Sequence, residues 1–186
     1  DSVVKLPLLP LRGSLLFPGA TSFLDVARER SIAALVASVA VDEHKIFMVA
    51  QRDAGVEDPK QSDLYTVGVI GVVRHMIRMP DDTVRVLCEA EKRALLVGMT
   101  DKADYLEASC VEMEGVESGQ EIVRAAHMRR VRTLFKEVLT ARGRVSGELV
   151  EAVEGQSDAG LLTDMVAQNA LSDIRDRQAV LECRDA

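Results

Sequence analysis

The sequence predicts an α+β protein in which a β-rich part, residues 1–118, precedes a helical part, residues 119–186. All five prolines and five of the six aromatic residues lie in the first part. Runs rich in β-branched and aromatic residues favour strands there, whereas apolar residues recur at helical spacing in the second part. Two glycines among polar residues in the segment 114–119 are typical of a linker or turn between the parts.

The β-rich part is predicted to hold one helix and a set of strands. Each strand is an apolar run bounded by turn residues, and the runs cover residues 6–11, 21–26, 46–50, 64–79, 83–99 and 105–113. Apolar residues at helical spacing predict an amphipathic helix over residues 30–41. Pro7 and Pro10 cannot donate to a ladder, so we expect the first strand to be irregular or to lie at an edge.

The two longest runs are joined by Pro80-Asp81-Asp82 and are predicted to pair as a hairpin. If the two aspartates form the loop, Ile77 lies opposite Val86 and the apolar residues of both strands share one face. The same register places Arg78 opposite Arg85, a like-charge pair that costs stability.

The helical part is predicted to form a small bundle of short helices around one long helix. Met128 to Leu139 supply an apolar stripe for the long helix, and Gly143 is well placed to end it. Ser146 and Asp158 are suited to cap the two helices that follow. The predicted helices cover residues 120–142, 146–155, 158–168 and 173–182.

The composition describes a folded, acidic chain. It has 186 residues, a net charge of -7 and 47% hydrophobic residues, which suffices for a core in one domain or two small ones. No apolar run approaches the roughly 18 residues of a membrane span, and the first residues lack the layout of a signal peptide. We therefore expect a cytoplasmic protein without a membrane partner. Because the chain does not begin with Met, we also expect it to be a piece of a longer protein.

No motif of an enzyme active site occurs in the sequence. Phosphate-binding loops, dinucleotide-binding motifs, serine-hydrolase elbows and zinc-protease motifs are all missing, and the three histidines lie in different predicted elements. No catalytic, cofactor-binding or metal-binding residue is therefore predicted. Cys88, Cys110 and Cys183 are widely spaced in apolar runs, so we interpret them as buried thiols. The predicted hairpin brings His75 close to Cys88, but a core cysteine is favoured over a nucleophile.

A basic cluster, Arg129, Arg130, Arg132 and Lys136, lies on the predicted long helix. Guanidinium groups there could contact phosphate, but neighbouring acidic residues and the acidic balance of the chain oppose an extended basic patch. A solvated helix face is favoured, and no nucleic acid is expected as a partner.

Six strings resemble, in order and spacing, the N-terminal domain of ATP-dependent Lon proteases. They are LPLLPLRGSLLFPG (6–19), DVARERSIAAL (25–35), KIFMVAQRD (45–53), LYTVGVIGVV (64–73), PDDTVRVLCEAEKRALL (80–96) and RQAVLE (177–182). The sequence departs from the family pattern at Asp82, where the family often has a turn glycine. It departs again at Ala90, where a glycine commonly follows the glutamate, here Glu89.

The resemblance implies a PUA-like β-barrel followed by a small helical bundle. It also implies that this region recognises and engages unfolded or degron-bearing protein substrates and supports assembly of a hexameric ring with other Lon subunits. The ATPase module, with its ATP and Mg²⁺, and the Ser-Lys dyad of the serine protease would lie beyond residue 186. This chain by itself is therefore not expected to be an enzyme.

Three places are candidates for contact with substrate: Phe17 in the first turn, the segment Arg28-Glu29-Arg30 at the start of the first helix, and a strand face formed by Arg74, Met76 and Arg78. Exposed sheet edges can accept extended peptide backbone, and apolar pockets can sort misfolded chains. Two alternatives remain. A PUA-like barrel could bind RNA or peptide on its own, with Arg129 and Arg132 as RNA contacts, or the region could be purely a scaffold for oligomerisation.

Overall fold

The computed structural model describes residues 2–116, 119–143 and 146–184. The chain divides into two compact units, residues 1–113 and 114–186. The division falls after Met113, whereas the sequence places the boundary after Ser118. Glu117 and Ser118 of the predicted linker lie outside the described residues.

The first unit is a β-barrel with one helix. Its elements are β1 (Val3–Leu11), β2 (Thr21–Val26), α1 (Glu29–Val39), β3 (Lys45–Ala50), a 3-10 turn (Gln61–Asp63), β4 (Val67–Arg78), β5 (Val84–Asp101) and β6 (Leu106–Glu112). The strand order is β2-β5-β4-β3-β1-β6, and β5 also pairs with β6. Five strands therefore close into a barrel, and β2 lies beside the first half of β5. The predicted α+β class and barrel are confirmed.

β1 lies between β3 and β6 in the sheet order, but it is irregular, and among the described residues each half of it has an unpaired side, in agreement with the predicted irregular or edge character. Residues 3–7 pair with β6, and residues 8–11 pair in parallel with β3. Each half of the strand thus has one partner. The carbonyl oxygen of Pro10 accepts a hydrogen bond from Arg28, whereas that of the next residue accepts from Gln51 beside β3. The backbone of Pro10 therefore faces away from β3, where the missing N–H costs no ladder bond.

The predicted hairpin forms, but its predicted register is wrong by one residue. The amide of Met79 donates to Thr83 O at 2.8 Å, so the loop has three residues rather than two. Asp82 ends the loop with a φ of +64°, the left-handed region that favours glycine. Ile77 consequently lies opposite Arg85 rather than Val86. A shift of one residue moves the side chains of β4 to the other face of the sheet, so Ile77 points outward.

The core lies inside the barrel. At two glycines of β4, backbone atoms of a neighbouring strand approach closely. A Cβ added to Gly71 would lie 2.4 Å from Glu89 O, and one added to Gly68 would lie 2.4 Å from Met48 O. Only glycine fits at these crossings. One cluster of this core consists of the buried residues Leu6, Leu8, Phe47, Val49, Leu64, Ile70, Ala94, Leu96, Leu106, Ala108 and Cys110.

The described part of the second unit contains four helices, as predicted: α2 (Glu121–Ala141), α3 (Gly147–Gly155), α4 (Ala159–Ala170) and α5 (Ile174–Glu182). The carboxylate of Asp158 accepts from the amide of Leu161 at 2.8 Å and caps α4. Ser146 precedes α3, but its side chain makes no capping hydrogen bond. Phe135, Leu139, Val153 and Leu162 form the buried core. No helix in the described ranges is long and apolar enough to cross a membrane.

Candidate functional site

A row of outward side chains crosses the sheet where β2, β5 and β4 lie side by side. Phe23 lies opposite Leu87, and Leu87 lies opposite His75 on the next strand. Residues directly opposite one another share a face, so these three side chains are neighbours on the outer surface. The adjacent row adds Ile77, which lies opposite Arg85. We name Phe23, Ile77 and Leu87 the outer apolar patch.

The outer apolar patch is open to solvent. The side chain of Phe23 is 60% exposed and that of Ile77 is 45% exposed. Large apolar side chains that are grouped and exposed on a small domain are typical of binding surfaces. In contrast, Val84, Val86 and Cys88 alternate with the outward residues of β5 and are buried.

Ion pairs flank the patch on two sides. Arg85 donates to both carboxylate oxygens of Asp25, at 2.8 and 3.1 Å. These hydrogen bonds lower the pKa of Asp25 and raise that of Arg85. Arg74 donates to Glu89 at 2.6 Å. Because each flanking arginine is paired with a carboxylate, the surroundings of the patch carry little net charge.

The predicted strand face of Arg74, Met76 and Arg78 does not form as expected. Arg74 lies at a β-bulge between Val73 and His75. Met76 lies opposite the buried Val86 and is itself half-buried. Arg78 lies near the hairpin tip and pairs with Asp82 at 3.4 Å. The one-residue register error exchanged the inward and outward residues of β4 here.

Phe17 is a core residue, and its prediction as a contact residue is wrong. Its side chain has no exposed surface. The carbonyl oxygen of Phe17 accepts a hydrogen bond from Ala20, so the residue closes the turn that leads into β2. An aromatic side chain buried in this way stabilises the fold and cannot touch a partner.

Arg28 is a structural residue that fixes the loop after β3. The half-buried guanidinium donates to Gln51 Oε1 at 2.8 Å, to Glu57 O at 3.0 Å and to Pro10 O at 2.8 Å. Desolvation by burial lowers its pKa. Glu57, whose carbonyl oxygen accepts from Arg28, also forms an ion pair with Arg12 at 2.8 Å. Three of the five N–H groups of Arg28 are therefore used within the protein.

Glu29 and Arg30 lie at the start of α1, beside a cleft of about 350 Å³. Arg30 pairs with Asp101 and donates to Lys102 O at 3.2 Å, whereas Glu29 is exposed. The cleft combines an apolar floor with charges of both signs, and it is lined by Leu8, Pro10, Arg28, Glu29, Arg30, Ser31, Glu57, Asp58, Pro59 and Leu106. The mixed charges select no single class of ligand.

The cysteines offer no nucleophile in the barrel. Burial raises the pKa of Cys88 to about 12, and burial with the nearby Glu112 raises that of Cys110 to about 11. The predicted neighbour of Cys88, His75, lies opposite Leu87 instead. Cys183 is exposed, so the prediction that all three thiols are buried is wrong for this one. Among the described residues, no group of three or more His, Cys, Asp or Glu could hold a metal ion.

The basic cluster on α2 is partly occupied by structural contacts. Arg132 donates to Val153 O at 3.2 Å and to Gln156 O at 2.6 Å, which satisfies carbonyl groups at the end of α3. Lys136 pairs with Glu154 at 2.7 Å. A second cleft of about 350 Å³, between α2 and α4, is lined by Val123, His127, Met128 and Leu162 among others.

Sequence reasoning missed Phe23, the most exposed aromatic side chain of the outer apolar patch. The sequence contained a signal for Phe23. In a short strand with few apolar residues, the alternation of side chains places Phe23 on the face opposite to the inward residues. Ile77 was missed for another reason, because its outward orientation depends on the three-residue hairpin loop. Leu87 lies on the outward face in the predicted register as well, and its pairing with Phe23 is what the sequence did not reveal.

The chain matches the family model described as "ATP-dependent protease La (LON) substrate-binding domain" over residues 5–186. It is 34% identical over 178 residues to Lon protease from Brevibacillus choshinensis, covering 96% of this chain and 23% of that protein. The chain therefore spans about a quarter of the length of this relative.

Two solved structures share the fold. The N-terminal domain of Mycobacterium avium complex Lon protease matches with a TM-score of 0.76 at 17% identity, covering 96% of this chain and 90% of that one. A Lon N-terminal domain protein from Xanthomonas campestris matches with a TM-score of 0.66 at 16% identity, covering 98% and 92%. Because the family model covers nearly the whole sequence, this chain belongs to the family of Lon substrate-binding domains.

Proposed function

We propose that this chain captures unfolded or degron-bearing protein substrates through the outer apolar patch. In this proposal it serves the ATPase and serine-protease modules of a longer Lon-like protein in cytoplasmic protein quality control. The proposal also includes a role in assembling a ring with other subunits. The chain itself binds and does not cleave.

The observation that carries the proposal is the grouping of Phe23, Leu87 and Ile77 on one open surface. Folded proteins bury their apolar side chains, whereas unfolded chains expose them. A surface that gains free energy by covering apolar area therefore favours the unfolded form of the same protein. The paired charges around the patch add no strong preference for acidic or basic segments.

Modest affinity at one patch suffices if several copies lie on one ring. Each bound segment raises the effective concentration of the rest of the substrate at neighbouring copies. Rapid release from any single patch would then let the substrate move on to the motor. This is the reason for joining substrate capture and ring assembly in one proposal.

The test compares one disulfide-bonded protein in its native form and after reduction and alkylation of its cysteines. Binding of each form to the 186-residue chain is measured by fluorescence anisotropy. We expect the unfolded form alone to bind. Phe23→Ser should weaken that binding about tenfold, since it removes a large exposed apolar side chain. Val36→Ser, at an exposed valine of α1, is the matched control and should leave the affinity unchanged.

Other outcomes would point elsewhere. Equal binding of the native and unfolded forms would rule out substrate sorting. Self-association without affinity for the unfolded protein would indicate a scaffold. Affinity for RNA that falls steeply with salt, and is lost in Arg129→Ala, would indicate a nucleic-acid-binding module.

A further inference from the structure

β2 has one open backbone edge. It pairs with β5 along one side, and no other strand in the described residues pairs with it. Its residues alternate between those whose N–H and C=O groups face β5 and those whose groups face the opposite side. The amide of Ala90 donates to Ala20 O, which identifies residues 20 and 90 as a hydrogen-bonded pair.

This pair fixes the direction of every backbone group in β2. Residues 22, 24 and 26 also form hydrogen-bonded pairs with β5, because they follow residue 20 in steps of two. The N–H and C=O groups of Thr21, Phe23 and Asp25 therefore face the open edge. The hairpin leads to the same conclusion independently. The hydrogen bond from the amide of Met79 to Thr83 O makes these two residues a hydrogen-bonded pair, so the N–H and C=O groups of Arg85, two residues further along β5, point toward β4. They therefore point away from Asp25.

The open edge is suited to one kind of partner. Three N–H and three C=O groups at strand spacing match the backbone of another extended chain and no compact ligand. Ser22 Oγ donates to Phe23 O at 3.3 Å, a local bond that leaves the second lone pair of that oxygen available. Side chains do not block the approach, because Thr21, Phe23 and Asp25 point toward the outer face.

We infer that β2 binds an extended segment of unfolded polypeptide as an added strand of the sheet. The inference rests on the proposed function and specifies how the substrate is held. Backbone hydrogen bonds to Thr21, Phe23 and Asp25 supply an affinity that does not depend on sequence. Every second side chain of the segment lies on the outer face, and one of them lies directly beside Phe23, so an apolar residue at that position binds best.

The segment favoured by this site is uncharged. Asp25 is already paired with Arg85 on the same face, and Glu89 is paired with Arg74. A charged side chain of the segment would meet these satisfied pairs and would lose its own hydration without gaining a partner. The occupant is therefore an apolar stretch of an unfolded chain rather than an acidic or basic tail.

The test uses three labelled peptides of alternating Leu and Ser: one unmodified, one N-methylated at each Leu and one N-methylated at each Ser. N-methylation removes the amide donor and keeps the side chain. If Leu lies beside Phe23, an antiparallel segment directs its Leu amides at β2 and a parallel segment directs its Ser amides there. We expect one methylated peptide to bind at least about tenfold more weakly and the other to bind like the unmodified peptide.

The outcomes separate this inference from the proposed function. Equal affinities of all three peptides, or equal weakening by both modifications, would overturn strand addition and leave apolar capture standing. If no peptide binds and the unfolded test protein does not bind either, the proposed function fails as well.

A variant of the chain gives a second measurement. Thr21→Pro removes one amide that faces the open edge, at the first position of the strand, where proline is tolerated. Binding of the unmodified peptide should weaken about 2- to 10-fold, whereas Thr21→Val, which keeps the amide, should bind as the parent chain does. If Thr21→Pro instead converts a dimer into a monomer without changing peptide affinity, a second copy of the chain occupies the edge and the inference is overturned.

Discussion

The two units of the chain reach a buried core by different means. In the barrel, strands that are distant in sequence bring backbones together, and at Gly71 there is no room for even a Cβ. In the helical unit, α4 and α5 begin at side-chain caps, and buried side chains such as Phe135 and Leu162 fill the space between the helices. The barrel should therefore be most sensitive to added atoms, and the helical unit to removed atoms.

Removing the largest buried side chain of the helical unit should have the largest effect. Phe135 is 1% exposed at the centre of the core formed by α2, α3 and α4. We expect Phe135→Ala to lower the free energy of unfolding by about 4 kcal/mol, because both burial and contacts are lost. Urea denaturation followed by circular dichroism at a helical wavelength measures the loss.

The neighbouring Leu134, which is 40% exposed, provides the control. Leu134→Ala should change the free energy of unfolding by less than about 1 kcal/mol. Similar losses for both variants would mean that α2 is not packed through one face and that the helical unit lacks a specific core.

Adding one carbon to the barrel should have the next largest effect. A Cβ on Gly71 would lie 2.4 Å from Glu89 O and 2.6 Å from Met48 Cε. Because the closest atom belongs to the backbone of a paired strand, it cannot move aside cheaply. Gly71→Ala should cost about 3 kcal/mol in denaturant unfolding.

The matched control is Gly98→Ala on β5, where the nearest atom to the added Cβ is Ser109 Cβ at 3.6 Å. This distance is an ordinary contact, so the free energy of unfolding should stay the same or rise slightly. Equal costs at the two glycines would show that close backbone approach is not what limits the barrel.

Local features of the fold could be predicted from the sequence, and non-local ones could not. The cap at Asp158 depends on one side chain and an amide three residues away, and it was predicted correctly, whereas the cap predicted at Ser146 does not form. The register of the hairpin depends on whether the loop has two residues or three. The three-residue loop requires a positive φ at Asp82, a conformation that is uncommon for a residue other than glycine.

The same limit applied to the candidate site. Arg28 and Phe17 were selected as surface residues, but their burial depends on packing against segments remote in sequence. The outer apolar patch needs the pairing of β2, β5 and β4 to bring Phe23, Leu87 and Ile77 together. No local pattern in the sequence predicts that these three side chains lie close together, so only the folded structure reveals the patch.

Stability should fall as the pH rises because of Cys88, one of the two buried thiols of the barrel. Burial raises the pKa of Cys88 from 9.0 to about 12, so the unfolded chain loses this proton more readily than the folded one. The stabilising contribution is complete below pH 9 and declines as the pH rises toward 12. At pH 10 the loss should be about 1.4 kcal/mol, which corresponds to one pH unit above the unfolded pKa.

The measurement compares the free energy of unfolding of the parent chain and Cys88→Ala between pH 8 and pH 10. The difference between them should shrink by about 1.4 kcal/mol, because both chains carry Cys110 and only the parent chain carries the Cys88 thiol. Val86→Ala, at a buried neighbour on β5 without an ionisable group, should keep a constant difference from the parent chain. A constant difference for Cys88→Ala as well would mean that solvent reaches the thiol in the folded barrel.

The smallest effect should distinguish two helix starts within the helical unit. Asp158 accepts a hydrogen bond from the amide of Leu161, whereas Ser146 makes no capping bond although serine is a favourable capping residue. Asp158→Ala should therefore cost about 1 kcal/mol and Ser146→Ala close to nothing, measured by urea denaturation. Equal costs would mean that the hydroxyl of Ser146 caps α3 in solution. The helical unit would then be held by local caps at both helices, and the contrast with the barrel would become sharper, since the barrel closes by pairing β1 with β6, at opposite ends of its sequence.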